Sequence, residues 1–158
     1  MQIGIGFDIH PLGAGRKLVL GGVEIPFDRG LEGWSDADVL THAIIDAMLG
    51  AAAMGDIGMH FPPGKLEYKN ISSLKLLAEI KSKMAANGWQ VINIDATVIA
   101  EKPHLREYID TMRERLHQTL GLPISQVSVK ASTANQVGAL GHEEAIAALA
   151  IASIQKAK

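Results

Sequence analysis

HEEAIAALAIASIQKAK, residues 142–158, reads two ways, and the choice decides the fold. Its alanine content favours a helix, alanine being the strongest helix former. Ile146, Ala148, Ala150 and Ala152 also alternate, which suits one face of a buried strand. The segment alone leaves both readings open. Upstream, QVSVKAST (126–133) and WQVINIDATVIA (89–100) follow period two and predict strands, as does QIGIGFD (2–8). KLVLGGVEIP (17–26) predicts two short strands turning at Gly21-Gly22.

ADVLTHAIIDAMLGAAAM (37–54) carries apolar residues at helical spacing, with Ser35 or Asp36 as its expected N-cap. SSLKLLAEIKSKMAANG (72–88) predicts a helix capped by Ser72 or Ser73 and closed by Gly88. Pro103 is expected to open another helix running to about Leu120, with Gly121 and Pro123 as stops. Between the first two helices, GDIGMHFPPGKLEYKN (55–70) predicts a long loop, and loops of that kind often carry function.

The 158 residues show no repeat and no linker, so a single domain over 1–158 is expected. Hydrophobic residues make up 47% and charged residues 20%, the balance of a globular protein. A net charge of −2, without basic runs, gives no electrostatic case for nucleic acid or an anionic membrane. Apolar stretches are broken well before the roughly 20 residues a membrane span needs. With no secretory pattern at the start, the expected location is cytoplasmic. Cysteine is absent, which excludes disulfides, zinc–thiolate sites and thiol nucleophiles. Aromatic residues reach only 4%, and the Ala-rich segments imply close packing and surface available to a subunit interface.

Within GFDIH, Asp8 and His10 share one strand face, since side chains two apart point the same way. On the helix after residue 37, Asp38, His42 and Asp46 follow i, i+4, i+8 and share a stripe. A carboxylate four residues before a histidine can orient its ring. Asp8, His10 and His42 together would make a carboxylate–imidazole set with one open position, the pattern of a catalytic zinc site. Without further context, a polar strand end and an ordinary helix histidine explain the same residues.

GFDIH, the GGVEIP hairpin, WSDADVLTHAIIDAMLGAAAMGDIG, NIDATVIAEKP and VSVKAST occur in one order and spacing. In this the chain resembles the 2-C-methyl-D-erythritol 2,4-cyclodiphosphate synthase family of the non-mevalonate isoprenoid pathway, nearly end to end. The resemblance implies an α+β fold: a mixed four-stranded sheet with helices on one side plus a small hairpin. It makes the tail a strand, and the assembly a homotrimer with active sites between subunits. It implies a lyase that converts 4-diphosphocytidyl-2-C-methyl-D-erythritol 2-phosphate to the 2,4-cyclodiphosphate, releasing CMP as the 2-phosphate attacks the β-phosphorus.

The same resemblance implies that Asp8, His10 and His42 bind zinc, whose open position takes a phosphate oxygen. Ser35 would join the substrate site. Asp56, Ile57 and Gly58 of GDIG would face the ribose, Asp56 accepting from its hydroxyls. Ala100, Pro103, His104, Leu105 and Arg106 would recognise cytosine through the backbone. Thr133, with Ser132 beside it, would donate to the α- and β-phosphates and stabilise transition-state charge.

Departures cluster around the substrate. Trp34 stands where the family commonly has histidine, and could donate an indole N–H at the reacting phosphate without carrying charge. Pro63 and Lys65 replace acids of a loop that touches the erythritol part. Asn135 replaces a glutamate that holds a second ion, Mg²⁺ or Mn²⁺, so that site should be weaker. Ala139 and His142 replace a phenylalanine and an arginine near the trimer axis. The competing reading is a zinc- and cytidine-nucleotide-binding paralogue without turnover; a generic metallophosphohydrolase ranks below both.

Overall fold

The structure, a computed structural model, describes residues 1–157. A five-stranded sheet carries the fold in the order β4-β1-β7-β5-β6. Its strands are β1 (Gln2–Ala14), β4 (Arg29–Leu31), β5 (Trp89–Ile99), β6 (Val127–Ser132) and β7 (Ala145–Lys156), and β2 (Leu18–Leu20) and β3 (Val23–Ile25) form a separate hairpin. β5 and β6 run parallel, while β7 is antiparallel to both β1 and β5. The sheet therefore has one strand more than the sequence suggested. The addition, β4, pairs Leu12↔Leu31 through Ala14↔Arg29 on the far half of β1. Three residues are too few to show a period.

The ambiguous tail is the central strand. Ladders on both sides satisfy its backbone, and that outweighs the helix propensity of its alanines. Ile146, Ala148, Ala150, Ala152 and Ile154 are buried, facing the helical layer. That layer comprises α1 (Val39–Ala51), α3 (Ser73–Ala86) and α4 (Ile109–Leu120). The long loop contains the short α2 (Ile57–His60) and a 3₁₀ turn at Leu66–Tyr68, and α5 (Gly138–Gly141) precedes β7. No helix among the described residues is long and apolar enough to cross a membrane. The opposite sheet face leaves Ile3, Ile5, Phe7, Ile9, Leu149 and Ile151 exposed, Ile5 by 71%.

Several boundaries move for local reasons. α1 is capped by Asp38, not by Ser35 or Asp36. Asp38 Oδ1 accepts from Thr41 N and Gly21 N, and Oδ2 from Gly22 N and Thr41 Oγ1, all within 3.0 Å. One buried carboxylate thus ties the helix start to the hairpin turn. Pro103 does not open a helix; its peptide bond is cis, and α4 begins at Ile109 after a 3₁₀ turn at Arg106–Tyr108. Ser72 caps α3 without a side-chain bond, and Asp36 Oδ2 accepts from Ser73 N instead.

β1 turns Gly4, Gly6, Asp8 and His10 toward α1. A Cβ on Gly6 would lie 1.9 Å from the Ala43 carbonyl oxygen, and one on Gly4 2.1 Å from that of Ala47. Neither oxygen can retreat without bending the helix. Gly6→Ala is therefore expected to destabilise by about 3 kcal/mol, the upper end of overpacking costs. Urea unfolding followed by circular dichroism reads this, and an unchanged midpoint refutes the close approach.

Candidate active site

Asp8 and His10 reach from β1 and His42 from α1, three sites separated in sequence and adjacent in space. Asp8 Oδ2 lies 2.9 Å from His42 Nδ1 and 3.1 Å from His10 Nε2. The three potential ligand atoms fall within 4.8 Å of one another. Burial by itself would raise the Asp8 carboxyl, but hydrogen bonds and charge from both imidazoles hold it well below the usual range. Burial alone would lower His10; the bond to Asp8, that carboxylate's charge and the Glu32 carbonyl together outweigh that and raise it.

The far nitrogen of each ring is engaged. His10 Nδ1 sits 2.5 Å from the Glu32 carbonyl, which can only accept, so Nδ1 donates and Nε2 is the nitrogen that could give a lone pair to an ion. His42 Nε2 lies 2.8 Å from Ser73 Oγ and 3.2 Å from Ser35 Oγ, leaving Nδ1 toward Asp8. Two imidazole nitrogens and a carboxylate oxygen, aimed at one point and backed by acceptors, fit a borderline dication. Asp38 does not orient His42 as its spacing suggested, since its oxygens serve Thr41 and the hairpin turn. Asp46 is likewise diverted: it accepts from Ile57 N at 2.7 Å and holds α2 on α1.

The triad opens on a cleft of about 200 Å³ whose walls include Trp34, Ser35, Ile57, Gly58, Phe61 and Pro63. Asp56 is not part of that lining; next to Ile57 in sequence, it caps α2 through Met59 N. Trp34 differs from its expected role in one respect. Its indole N–H donates to the Lys65 carbonyl at 2.8 Å, so the cleft meets a ring rather than a free donor. The Lys65 ammonium points to Glu67. Tyr68 and Leu76 also line this cleft, contributions with no sequence signal beyond their lying in a long loop and a helix.

A second cleft, of about 390 Å³, is bounded by Ala100, Pro103, His104, Leu105 and Arg106 on one side and Val129–Thr133 on the other. Ser132 and Thr133 end β6 there. Asn135 lies beyond that lining, with its amide oxygen 3.4 Å from Thr133 Oγ1. Lys130 is bound to Asp95. The two clefts share no residue. They open at one end of the sheet, where Ile9, Ala147, Ile99 and Ser132 align across four strands. At strand spacing, that row separates them by roughly 14 Å.

A family model described as "YgbB family" matches residues 1–155. A 2-C-methyl-D-erythritol 2,4-cyclodiphosphate synthase from Dehalococcoides mccartyi is 54% identical over 99% of both chains. Among solved structures, the bifunctional IspDF of Campylobacter jejuni superposes with a TM-score of 0.94 at 38% identity, covering 98% of this chain. This chain spans only 42% of that bifunctional protein. The CDP complex of Plasmodium falciparum IspF matches at TM-score 0.87 and 29% identity, over 99% of this chain and 97% of that one. Sequence, fold and the gathered Asp–His–His set agree: the chain belongs to the YgbB family.

Proposed function

We propose that this chain is a 2-C-methyl-D-erythritol 2,4-cyclodiphosphate synthase acting on 4-diphosphocytidyl-2-C-methyl-D-erythritol 2-phosphate. The observation that carries this reading is the convergence of Asp8 Oδ2, His10 Nε2 and His42 Nδ1 in a chain 54% identical to a synthase of that name. An oxygen of the 2-phosphate forms a bond to the β-phosphorus, and the bond from that phosphorus to the bridging oxygen breaks. CMP leaves with the electron pair. The nucleophile is already ionised at neutral pH, so no general base is required, and positioning and charge stabilisation dominate.

Asp8, His10 and His42 would hold zinc, favoured over Mg²⁺ by two imidazole donors, and the ion would supply positive charge at the phosphoryl oxygens. Asp56, Ile57 and Gly58 take the ribose side. The cleft at Ala100 and Pro103–Arg106 takes cytosine, consistent with the CDP held by the Plasmodium falciparum relative. Thr133 is the catalytic hydroxyl beside the diphosphate, with Ser132 as its neighbour. Trp34 and Ser35 wall the metal-side cleft against the substrate. Asn135 offers a neutral oxygen, so any second Mg²⁺ or Mn²⁺ at the diphosphate binds weakly.

The separated clefts and the bare apolar sheet face support assembly of copies, with each site built from two neighbours of a homotrimer. Six exposed apolar side chains on β1 and β7 form a patch that an adjacent copy would cover.

Phosphorus NMR of protein incubated with substrate, Mg²⁺ and zinc should show CMP and the cyclodiphosphate. Cytidine nucleotide binding without CMP would establish the inactive paralogue instead. His42→Ala should lose zinc by elemental analysis and lose turnover; stoichiometric zinc in that variant refutes the ligand set. Thr133→Ala should lower kcat by about 10²–10³-fold, as loss of one transition-state donor does. Co-refolding Thr133→Ala with His42→Ala should restore part of the activity, in particles whose light-scattering mass is that of three chains. No restoration places the whole site within one chain.

A further inference from the structure

Behind the metal ligands lies a polar chain that the proposed reaction does not use. Ser73, the first residue of α3, is fully buried. Its Oγ donates to Asp36 Oδ1, its backbone N–H donates to Asp36 Oδ2 at 2.8 Å, and His42 Nε2 lies 2.8 Å from the same Oγ. Asp36 is itself fixed, donating its N–H to the Ile71 carbonyl and accepting from Asp38 N.

With a cation in the triad, the proton count along this chain has one solution. A hydroxyl has a single proton, and a carboxylate can only accept. The Ser73 proton therefore lies toward Asp36, and Oγ can only accept from His42. His42 Nε2 then carries the hydrogen and the Nδ1 lone pair faces the centre of the triad; without the cation, Asp8 Oδ2, 2.9 Å from Nδ1, competes for that hydrogen. Ser35 Oγ, longer at 3.2 Å and accepting from Ala37 N, fits the same assignment as a weaker second acceptor.

We infer that Asp36 and Ser73 are positioning residues of the metal centre, a relay that locks the His42 tautomer and lends it carboxylate charge through the serine. The inference rests on the metal reading of the triad. It assigns Asp36 a role that its first appearance as a possible helix cap did not suggest. The hydrogen bonding of the outer ring nitrogen sets both the direction and the basicity of a ligating imidazole. Here the acceptor comes from a residue 31 positions along the chain, at the start of another helix.

Asp36→Asn provides a near-isosteric test. An amide oxygen would still accept from Ser73 N, but its NH₂ would now donate to Ser73 Oγ. The serine proton is then released toward His42 Nε2, and the hydrogen on the ring moves to Nδ1. Long-range ¹H–¹⁵N correlation on the metal-free proteins at alkaline pH reads the tautomer directly. Since Ser73 and Asp8 compete for the ring hydrogen, Asp36→Asn should hold a smaller population of His42 protonated at Nε2 than the wild-type protein does. Zinc affinity, measured by competition with a chromophoric chelator, should fall about 10–100-fold in Asp36→Asn and in Ser73→Ala. A tautomer population unchanged by Asp36→Asn, or zinc affinity unchanged in both variants, overturns the relay. If the wild-type protein binds no zinc, the metal reading falls instead, and the tautomer measurement still judges the hydrogen-bond chain.

Discussion

Strand β1 and helix α1 meet backbone to backbone, and the rest of the structure depends on that contact. Gly4 and Gly6 remove the side chains that would hold the helix away, and Ala43 and Ala47 present bare carbonyls to them. Ala148, Ala150 and Ala152 keep the same surface low on the adjoining strand. The low aromatic content follows from this geometry, since large rings have no room between these layers. One strand repeat beyond Gly6, Asp8 faces the helix where His42 stands, and their 2.9 Å separation depends on the glycines before it.

The short segment from Gly33 to Asp38 distributes its polar groups among three tasks. Ser35 and Asp36 support His42, the latter through Ser73. Asp36 also supplies the acceptor that Ser72 fails to give at the start of α3. Asp38, two residues on, caps α1 and gathers both amides of the hairpin turn at Gly21 and Gly22. Two carboxylates so near each other remain tolerable because each is occupied by donors on separate elements. The Asp8–His10–His42 group therefore rests on the same few residues that join two helices and a hairpin.

What was legible in the sequence was what local period could express. β5 and β6 follow alternation, and α1 and α3 follow helical spacing, to within a few residues. The tail was not decided by its own residues, because alanine favours an isolated helix while ladders from β1 and β5 exist only in the fold. The cap of α1 was misplaced because Ser35, Asp36 and Asp38 are all good cap residues. Only the distant amides of Gly21 and Gly22 choose among them. Asp8 beside His10 could be read from strand geometry and His42 suggested as a third ligand from its residue type, but only the family resemblance chose that set over an ordinary helix histidine. Ser73 gave no signal beyond a helix start, since its partner Asp36 is 37 residues away.

β1 also links the Asp8–His10–His42 group to the bare sheet face. Its even residues, Gly4 to His10, point to α1, and its odd residues, Ile3 to Ile9, point to the open side. A slip of one residue against β7 would exchange the sets, placing Asp8 and His10 outside and isoleucines against the helix. Pairing from Gln2↔Ile154 to Pro11↔Ala145 prevents the slip. Steric fit reinforces it, because an isoleucine cannot occupy the place of Gly6 under Ala43. The glycines thus select the register as well as the helix distance, and in doing so they assign one face to chemistry and the other to contact. In the proposed trimer a neighbouring copy would cover the odd residues. Ligand placement and subunit packing would then be fixed by a single strand alignment.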